Sequence, residues 1–555
     1  MLYLSAAHKS SGKTTLTLGL CRALANRGLK VQAFKKGPDY IDPIWHGLAA
    51  RGASYNLDFH MMREAEITAL YARHAAAADI ALIEGNKGLY DGMDVEGSNS
   101  NAALAKLLGV PVVLVLDCVG MTRGIAPLIL GYQAFDPGVK IAGIILNKVG
   151  GPRHEGKLRE VIARYTQVPV LGAVYKDERL AITERHLGLV PGNEAVEADA
   201  RIEIMAAIVS AQVDIDRLLE VASSWNPTKQ AGMPALQGTD RLLEVASSWN
   251  PTKQAGMPAL QGTDSLLEVA SSWNPTKQAG MPALQDTDRL LEVASSRDPS
   301  LHKEGRGDLS SLAARQGGAN SPTPPFDNGE RGLRIAYAHD RAFGFYYQED
   351  LDSLRAAGVE LLPVDTLVEV CLPEVDGLLL GGGFPEMFIE ELAANVDLRR
   401  DIARRIEAGL PVYAECGGLM YLSRSLRWGE RQGEMVGMVP GDAVMSDRPV
   451  GRGYAELEET AFAPWAPQEK MVPAHEFHYS HLENLPAGPN YAYRVRRGQG
   501  MDGRNDGYVY RNLLAAYCHR RGSGEQGWIA PFLEKICTHR ALLRNLDPLS
   551  KGNQS

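Results

Sequence analysis

A short loop near the N-terminus carries residue types that bind phosphate. Residues 6–15 read AAHKSSGKTT, where a strand pattern ends, small residues follow and GKTT begins a helix pattern. Backbone N–H groups in such a loop point at phosphate oxygens, and the helix N-terminus adds its partial positive charge. Lys13 would reach the β- and γ-phosphates of a nucleotide, and Thr14 would give its hydroxyl to Mg²⁺. The predicted ATP-binding residues of this loop are Ser10, Ser11, Gly12, Lys13, Thr14 and Thr15.

Charged side chains follow two later strand patterns. FKKGPDYID places Lys35, Asp39 and Asp42 after one strand. ALIEGNKGLYDG places Glu84 at the end of another strand and Asp91 in the loop beyond it. Taken singly, each carboxylate is equally explained as a turn residue or a helix cap. Ligands of a parallel α/β sheet bind beyond the carboxyl ends of its strands, so we expect these groups to converge on the phosphate loop.

A second group of reactive residues surrounds Cys416. PVYAECGGLMYL puts this cysteine between a strand pattern and a helix pattern, where a sharp turn would expose the thiol at a helix N-terminus. A thiol nucleophile needs a base, and HEFHYSHLE offers His475, His478 and His481. Upstream, LLLGGGFPE supplies glycines at 381–383 whose N–H groups could bind an oxyanion.

Two stretches of alternating strand and helix patterns would position these groups. The strand patterns of the first stretch are LYLSAA, KVQAFK, ADIALIEG, PVVLVLD, KIAGIILN and VPVLGAV. Runs of Val, Ile and Leu separated by helical stretches predict a parallel sheet covered on both faces. The pattern restarts with LRIAYAHD, YYQEDLDSLRAAGVE, VDGLLLGGG, LRRDIARRIEAG and PVYAEC. We therefore predict α/β domains over 1–212 and 332–545, followed by a tail over 546–555.

The segment over 213–331 differs from both domains. DRLLEVASSWNPTKQAGMPALQGT begins at Asp216 and recurs nearly unchanged at Asp240 and Asp264, with a truncated copy at Asp288. A solenoid of stacked units is one interpretation. Each unit has one short apolar patch and a remainder interrupted by Pro and Gly, which favours a linker enlarged by duplication and poorly ordered.

Composition narrows the class of protein. The chain has 555 residues, of which 45 % are hydrophobic and 23 % charged, with a net charge of −9. This balance does not indicate a basic nucleic-acid surface. The six cysteines form no C-x-x-C pair, which argues against a disulfide scaffold or a zinc ribbon. The N-terminus lacks a signal-peptide pattern and no apolar run is long enough to span a membrane, so we expect a cytoplasmic location.

The combination of FKKGPDYID, EGNKGLYDG, LGGGFPE, AECGGL and HEFHYS resembles the cobyrinic acid a,c-diamide synthase family. These are glutamine-dependent amidating enzymes of corrin synthesis. The resemblance covers about 1–210 and 332–545. It implies an N-terminal P-loop nucleotide-binding domain, similar to dethiobiotin synthetase and the MinD/ParA group. It also implies a C-terminal class I glutamine amidotransferase-like α/β domain.

The resemblance assigns roles in the second domain. By the family pattern Cys416 is the glutaminase nucleophile and His478, in EFHYS, is its base. Position 480, where other amidotransferases carry an acid, is Ser480, which leaves open what polarises the histidine. The predicted oxyanion and glutamine-binding residues are Gly382, Gly383 and Gly417.

The implied reaction uses ATP, glutamine and Mg²⁺. A carboxylate of the macrocycle attacks the γ-phosphorus, and ammonia released from glutamine displaces phosphate from the resulting acyl phosphate. Lys13 and Lys35 would neutralise the transferred group. The predicted Mg²⁺ ligands are Thr14, Asp39 and Glu84, while Asp42 and Asp91 would orient substrate or steer ammonia. The predicted partner is a small-molecule corrinoid, with neither nucleic acid nor membrane, and a homo-oligomer is compatible with the sequence.

Four alternatives stay open at this point. The same chemistry could act on hydrogenobyrinic acid or Ni-sirohydrochlorin, or perform the amidations of cobyric acid synthesis. From a different class, the first domain could be a ParA/MinD-like ATPase switch, for which Lys9 is a partial match to the signature lysine. A switch would leave Cys416 and His478 without a purpose.

Overall fold

The computed structural model describes residues 1–181, 184–185, 188–189, 192, 197–223, 332–465, 470–486 and 488–546. The predicted linker lies outside these residues from position 224 to 331. The predicted tail lies outside them beyond position 546.

A seven-stranded sheet forms the centre of the first half. Its strands are β1 Leu2–Ala6, β2 Val31–Lys36, β3 Ser54–Leu57, β4 Ile80–Glu84, β5 Val112–Asp117, β6 Ile141–Val149 and β7 Val170–Tyr175. Their order is β3-β2-β4-β1-β5-β6-β7, and all neighbouring pairs are parallel. Tyr3 belongs to the apolar core on one face and Leu4 to the core on the other. The predicted parallel sheet is confirmed, and β3 is the strand that the patterns did not indicate.

Helices cover both faces of this sheet. The helices described here are α1 Lys13–Asn26, α2 Ile41–Ala50, α3 Glu64–Ala75, α4 Asn101–Leu107, α5 Ile125–Phe135, α6 Pro152–Tyr165, α7 Ala198–Gln212 and α8 Ile215–Ser223. A short turn of 3₁₀-helix spans Glu178–Leu180, and a small hairpin pairs β8 Glu184–Arg185 with β9 Gly188–Leu189. Helix α8 contains the start of the first repeat and packs on the domain, because Leu218 is fully buried and the N-terminal amine donates to the Ala222 carbonyl (3.2 Å).

The second half is built on a nine-stranded mixed sheet. The strands of this half are β10 Arg334–Ala338, β11 Phe343–Phe345, β12 Glu360–Val364, β13 Gly377–Leu380, β14 Gly382–Gly383, β15 Val412–Glu415, β16 Ser423–Trp428, β17 Arg431–Glu434, β18 Val439–Met445, β19 Gly451–Glu459, β20 Met471–His478, β21 Ser480–Glu483, β22 Asn490–Arg497, β23 Asn505–Tyr510 and β24 Leu513–Ala516. The large sheet has the order β12-β10-β13-β15-β24-β23-β22-β19-β20. Its first five strands are parallel and the rest are antiparallel.

Smaller elements complete this half. A four-stranded sheet has the order β17-β16-β18-β21, and β11 pairs with β14. The helices are α9 Gln348–Ala356, α10 Ile389–Ala394, α11 Val396–Glu407, α12 Gly417–Leu422 and α13 Ile529–Leu546, with a 3₁₀ turn at Pro385–Phe388. The predicted elements β10, α9, β13, α11 and β15 are confirmed. Within the described ranges, none of the helices combines the length and apolar character needed to cross a bilayer.

The described residues of the two halves belong to one compact unit. The Tyr55 hydroxyl, on β3, donates to Asp352 Oδ2 on α9 (2.7 Å). The ring of Tyr40 stacks on that of Tyr347, with 4.5 Å between their centroids. These direct contacts place strand β3 and the loop that follows β2 beside the second half.

Candidate active site

The phosphate loop joins β1 to α1 in a tight backbone path. Ser10 and Gly12 have positive φ values of 63° and 87°, in the left-handed region that favours glycine. The Asn147 side-chain amide donates to the Ser11 carbonyl (2.8 Å), and a Cβ at position 12 would lie 2.2 Å from its Nδ2. The loop therefore needs glycine at position 12 both for backbone conformation and for space.

Lys13 and Thr14 point from this loop toward the end of β4. Lys13 Nζ donates to the Lys87 carbonyl (2.6 Å), and burial lowers the pKa of the lysine to about 8. Thr14 Oγ1 donates to Glu84 Oε1 (2.7 Å). The Thr15 hydroxyl instead donates to the Leu180 carbonyl (3.3 Å), beside helix α1. The loop and the acidic strand end are thus in direct contact, as expected.

Glu84 is the centre of a buried charge network. Lys35 Nζ lies 2.7 Å from its Oε1, and His46 Nε2 lies 2.6 Å from its Oε2. Lys35 also forms an ion pair with Asp42. Burial by itself would raise the pKa of Glu84, but Lys35 and His46 outweigh it and hold that pKa below its usual range. His46 was not predicted; its only sequence signal is the position four residues after Asp42 on helix α2.

The other two predicted carboxylates help to hold loops. Asp39 Oδ1 accepts from the backbone N–H groups of Ile41 (2.9 Å) and Asp42 (3.0 Å) at the start of α2. Asp91 Oδ2 accepts from the Gly88 N–H (2.8 Å). Burial, together with the neighbouring Asp39 carboxylate, raises the pKa of Asp42. Asp39 therefore acts on the site both as a cap and as a nearby charge.

The residues around Thr14 fit a nucleotide-bound Mg²⁺. Among the residues with described positions, no group of three or more His, Cys, Asp and Glu side chains is arranged to hold a metal. Mg²⁺ at phosphate sites is usually bound by one or two protein oxygens together with phosphates and water. Thr14 Oγ1 and Glu84 Oε1, 2.7 Å apart, match that smaller protein contribution.

Cys416 occupies a strained elbow between β15 and α12. Its backbone has φ 49° and ψ −102°, a conformation that costs a non-glycine residue about 1–3 kcal/mol. A Cβ on Gly417 would lie 3.0 Å from the Gly383 nitrogen, and one on Gly418 would lie 2.0 Å from the Leu380 carbonyl oxygen. Close approach of these backbones requires glycine, so the structure brings the predicted glycines together at the elbow.

His519 is the histidine that lines the cavity with Cys416 and whose pKa that cysteine raises. Its Nδ1 also lies 3.1 Å from Glu415 Oε2. Burial lowers the pKa of His519, but its interactions with Cys416 and Glu415 outweigh burial and raise it to about 10. Sequence reasoning missed this residue. Its signal was a histidine three residues beyond the LLAA strand, which becomes informative only when β24 is known to lie beside β15.

The predicted histidines lie in the same region with other partners. His478 Nδ1 donates to the Ser480 carbonyl (2.8 Å), its Nε2 lies 3.7 Å from Glu476 Oε2, and its ring stacks on Tyr517. Burial, reinforced by His519, lowers the pKa of His475 to about 3. His481 is partly exposed and lies 3.3 Å from Glu483. The His478 assignment stays a prediction, with Glu476 as its nearby carboxylate.

One cavity of about 420 Å³ is lined both by residues at the ends of β2 and β4 and by the cysteine elbow. Its lining includes Lys36, Asp39, Tyr40, Asn86, Lys87, Gly383, Cys416, His475, His478 and His519. Residues after β2 and β4 therefore share one space with the cysteine elbow.

Comparison with known proteins defines the class first. A family model described as a CobQ/CobB/MinD/ParA nucleotide binding domain matches residues 6–190, and one described as a CobB/CobQ-like glutamine amidotransferase domain matches residues 334–525. The molecule thus joins a nucleotide-binding domain to a glutamine amidotransferase domain.

Whole-chain relatives identify the family. The chain is 41 % identical to cobyrinate a,c-diamide synthase of Magnetococcus marinus, over 97 % of each chain. It is 35 % identical to the Methanosarcina acetivorans enzyme of that name, over 94 % of this chain and 92 % of the relative. The corresponding values for Listeria innocua are 34 %, 93 % and 95 %. The chain belongs to the cobyrinate a,c-diamide synthase family.

Proposed function

We propose that this chain is an ATP- and glutamine-dependent ligase that converts the a and c carboxylates of cobyrinic acid to amides in cobalamin biosynthesis. The observation that carries the proposal is the cavity lined both by Cys416 and by Asp39 and Lys87, next to the phosphate loop. Ammonia released into bulk water is diluted and protonated to unreactive ammonium, so release beside the acceptor favours amide formation over hydrolysis of the acyl phosphate. A family of full-length relatives named for this reaction supports the substrate.

The first half activates the carboxylate. A carboxylate oxygen of the corrinoid attacks the γ-phosphorus of ATP, ADP leaves, and an acyl phosphate forms. Lys13 offsets charge on the transferred group. Lys35 is buried and forms ion pairs with Asp42 and Glu84, which holds these carboxylates in place. Thr14 and Glu84 would hold Mg²⁺, which supplies charge neutralisation at the phosphates.

The second half releases ammonia from glutamine. The Cys416 sulfur attacks the side-chain amide carbon of glutamine, the C–N bond breaks, and ammonia leaves with a proton. Water then hydrolyses the thioester to glutamate. We assign to His519 the proton transfers predicted for His478, because His519 lines the cavity with Cys416 and that cysteine stabilises its protonated form. Gly383 and Gly417 would supply N–H groups to the oxyanion.

Ammonia then crosses the shared cavity to the acyl phosphate. Its nitrogen attacks the acyl carbon and phosphate leaves, giving the amide. Asp39, Asp42 and Asp91 would orient the substrate or steer ammonia. One turnover consumes ATP, glutamine and water and yields ADP, phosphate, glutamate and one amide. Two turnovers on one macrocycle give the diamide.

The deciding experiment incubates the protein with cobyrinic acid, glutamine, ATP and Mg²⁺ and measures the mass of the product. Gain of two amides, with ADP formed only when macrocycle is present, is the expected result. No product would move the assignment to hydrogenobyrinic acid or Ni-sirohydrochlorin, tested in the same assay. ATP turnover that ignores both glutamine and every corrinoid would instead favour the ATPase switch.

The remaining assignments are part of the same proposal. We retain the second domain at 332–545 and extend the first domain from 212 to 223, because helix α8 packs on it, with a linker between the two domains. We also retain the cytoplasmic location and a small-molecule partner. Size measurement in solution tests the homo-oligomer, and chelation followed by Mg²⁺ addition tests the metal.

A further inference from the structure

Glu415 is a buried carboxylate placed directly before the nucleophile. It is the last residue of β15 and is 7 % exposed. Its Oε1 accepts from the Tyr413 hydroxyl (2.5 Å) and from the backbone N–H of Arg520 (2.9 Å). Its Oε2 faces His519 Nδ1 at 3.1 Å. One oxygen is therefore held by the surrounding structure, and the other is held against the histidine.

Strand register brings these residues together. Glu415 pairs with Ala516 across the parallel strands β15 and β24, and the Cys416 N–H donates to the Ala516 carbonyl (2.7 Å). His519 follows β24 by three residues and returns over the end of β15. In other amidotransferases the acid follows the histidine by two residues, but here that position is Arg521. The nearby carboxylate is Glu415, at the end of the neighbouring strand β15.

A carboxylate in this position has a defined effect on an imidazole. Accepting from Nδ1–H fixes the tautomer and the ring orientation, so that the other ring nitrogen is available to the thiol. Negative charge beside the ring also stabilises the imidazolium that forms when the thiol proton is taken. The other ionisable groups facing His519 are Cys416, Tyr40 and His475, of which burial keeps His475 uncharged.

We propose that Glu415 is the positioning residue of the glutaminase site, so that Glu415, Cys416 and His519 act as its triad. The proposal deepens the proposed function and depends only on its glutamine-hydrolysing half. The carboxylate of Glu415 and the nucleophile Cys416 then belong to consecutive residues of one strand-to-helix turn. Movement of that turn therefore displaces the thiol and the orientation of its base together.

The test compares Glu415→Gln with Glu476→Gln. The amide oxygen of glutamine at position 415 still accepts from the Tyr413 hydroxyl and the Arg520 backbone N–H. Its amide N–H faces His519 Nδ1, so the acceptor that Glu415 offers to that nitrogen is lost. Glu476 is the matched control, because it is also a buried carboxylate and lies 3.7 Å from another cavity histidine, His478. Both variants are assayed for glutamine hydrolysis and for ammonia-driven amidation.

The expected result separates the two carboxylates. Glu415→Gln lowers kcat for glutamine hydrolysis by about 100-fold or more, with KM within about threefold, and preserves ammonia-driven amidation. It also shifts the rate–pH profile of Cys416 alkylation by iodoacetamide to higher pH. Alkylation is followed by peptide mass, because the exposed Cys371 also reacts. Glu476→Gln leaves the hydrolysis rate and the profile near those of the parent.

Three results would overturn the proposal. Glu415→Gln could keep both kcat and the alkylation profile. Glu476→Gln could show the larger loss, which would favour His478 as the base. Glu415→Gln could lose ammonia-driven amidation to the same extent, which would make its role structural. Hydrolysis and alkylation require no corrinoid, so these outcomes are independent of which macrocycle the enzyme amidates.

Discussion

Thr14 Oγ1 donates a 2.7 Å hydrogen bond to Glu84 Oε1, across 70 residues of sequence. The two residues meet because β1 and β4 are parallel neighbours, with Leu4 opposite Glu84. The carboxylate is at the same time 2.7 Å from Lys35 Nζ and 2.6 Å from His46 Nε2. The nucleotide loop is therefore tied to a buried network whose charges must stay balanced.

Replacement of Lys35 by Met tests that balance. It leaves Asp42 and Glu84 buried without their shared cation, so we expect a loss of about 3–5 kcal/mol in unfolding free energy. Amidation should fail with glutamine and with ammonia alike. Lys36→Met is the stability control. Within the described part of the chain the Lys36 ammonium donates to Asn86 (3.2 Å) and forms no ion pair, so this substitution should cost about 1 kcal/mol or less. Unfolding in urea measures the stability of both variants. Equal unfolding midpoints would contradict the stabilising role of Lys35 in this charge network.

Gly12→Ala tests the geometry of the phosphate loop. Its new Cβ would lie 2.2 Å from Asn147 Nδ2 at a φ of 87°, so we expect ATP affinity to fall by about tenfold or more. The matched control is Gly28→Ala, which has a φ of 83° and no atom within 4 Å of the added Cβ. That control should cost about 1 kcal/mol of stability and leave ATP affinity unchanged. Calorimetric titration with ATP measures the affinity of each variant. Equal affinities would contradict the need for glycine at position 12.

Cys416→Ser and Lys13→Ala separate the two halves of the reaction. The serine variant should lose glutamine-dependent amidation and keep ammonia-driven amidation, because an oxygen nucleophile at this site lacks thiolate reactivity. Lys13→Ala should lose product with both nitrogen donors. Product mass with each donor is the measurement. A folded Cys416→Ser protein that loses both activities equally would contradict the two-site scheme.

His519→Asn and His478→Asn decide between the two candidate bases. Because His519 lines the cavity with Cys416 and that cysteine stabilises its protonated form, replacement of His519 should lower kcat for glutamine hydrolysis by about 100-fold or more. His478→Asn should have a smaller effect, since that ring bonds to Ser480 and stacks on Tyr517. Steady-state glutaminase assays compare them. The reverse order of effects would restore His478 as the base.

The pH dependence of stability should differ in sign between two neighbouring histidines. Folding raises the pKa of His519 to about 10, so its stabilising contribution is complete below about pH 6.5 and is lost as pH rises toward 10. The Tm difference between parent and His519→Gln should therefore shrink from about pH 6 to about pH 10.

His475 provides the opposite case within the same cavity. Folding lowers its pKa to about 3, so its contribution is complete above about pH 6.5 and is lost as pH falls. The Tm difference for His475→Gln should shrink on acidification instead. Parallel trends for the two variants would show that the charge states of these histidines are not as described.

Much of the first half's fold and of the candidate site could be predicted from contiguous sequence motifs. The loop over 6–15, the charged strand ends and the Cys416 elbow each need only a strand, a turn and a helix start, which are local patterns in sequence. Hydrophobic runs were enough to predict the parallel sheet of the first half, because strands buried on both faces are apolar along their length. Resemblance in those same motifs indicated the family that the whole-chain relatives then established.

Tertiary structure alone decided which side chains act on one another. His46 reaches Glu84 because α2 packs against β2, which is the parallel neighbour of β4, and the sequence of its own helix gives no sign of that partner. Glu415 faces His519 because β15 and β24, about 100 residues apart, are parallel neighbours in one register. The shared cavity depends likewise on contact between the two halves. Local residue patterns encode elements, whereas strand order and domain contact arise from packing between distant segments, so no window of sequence contains them.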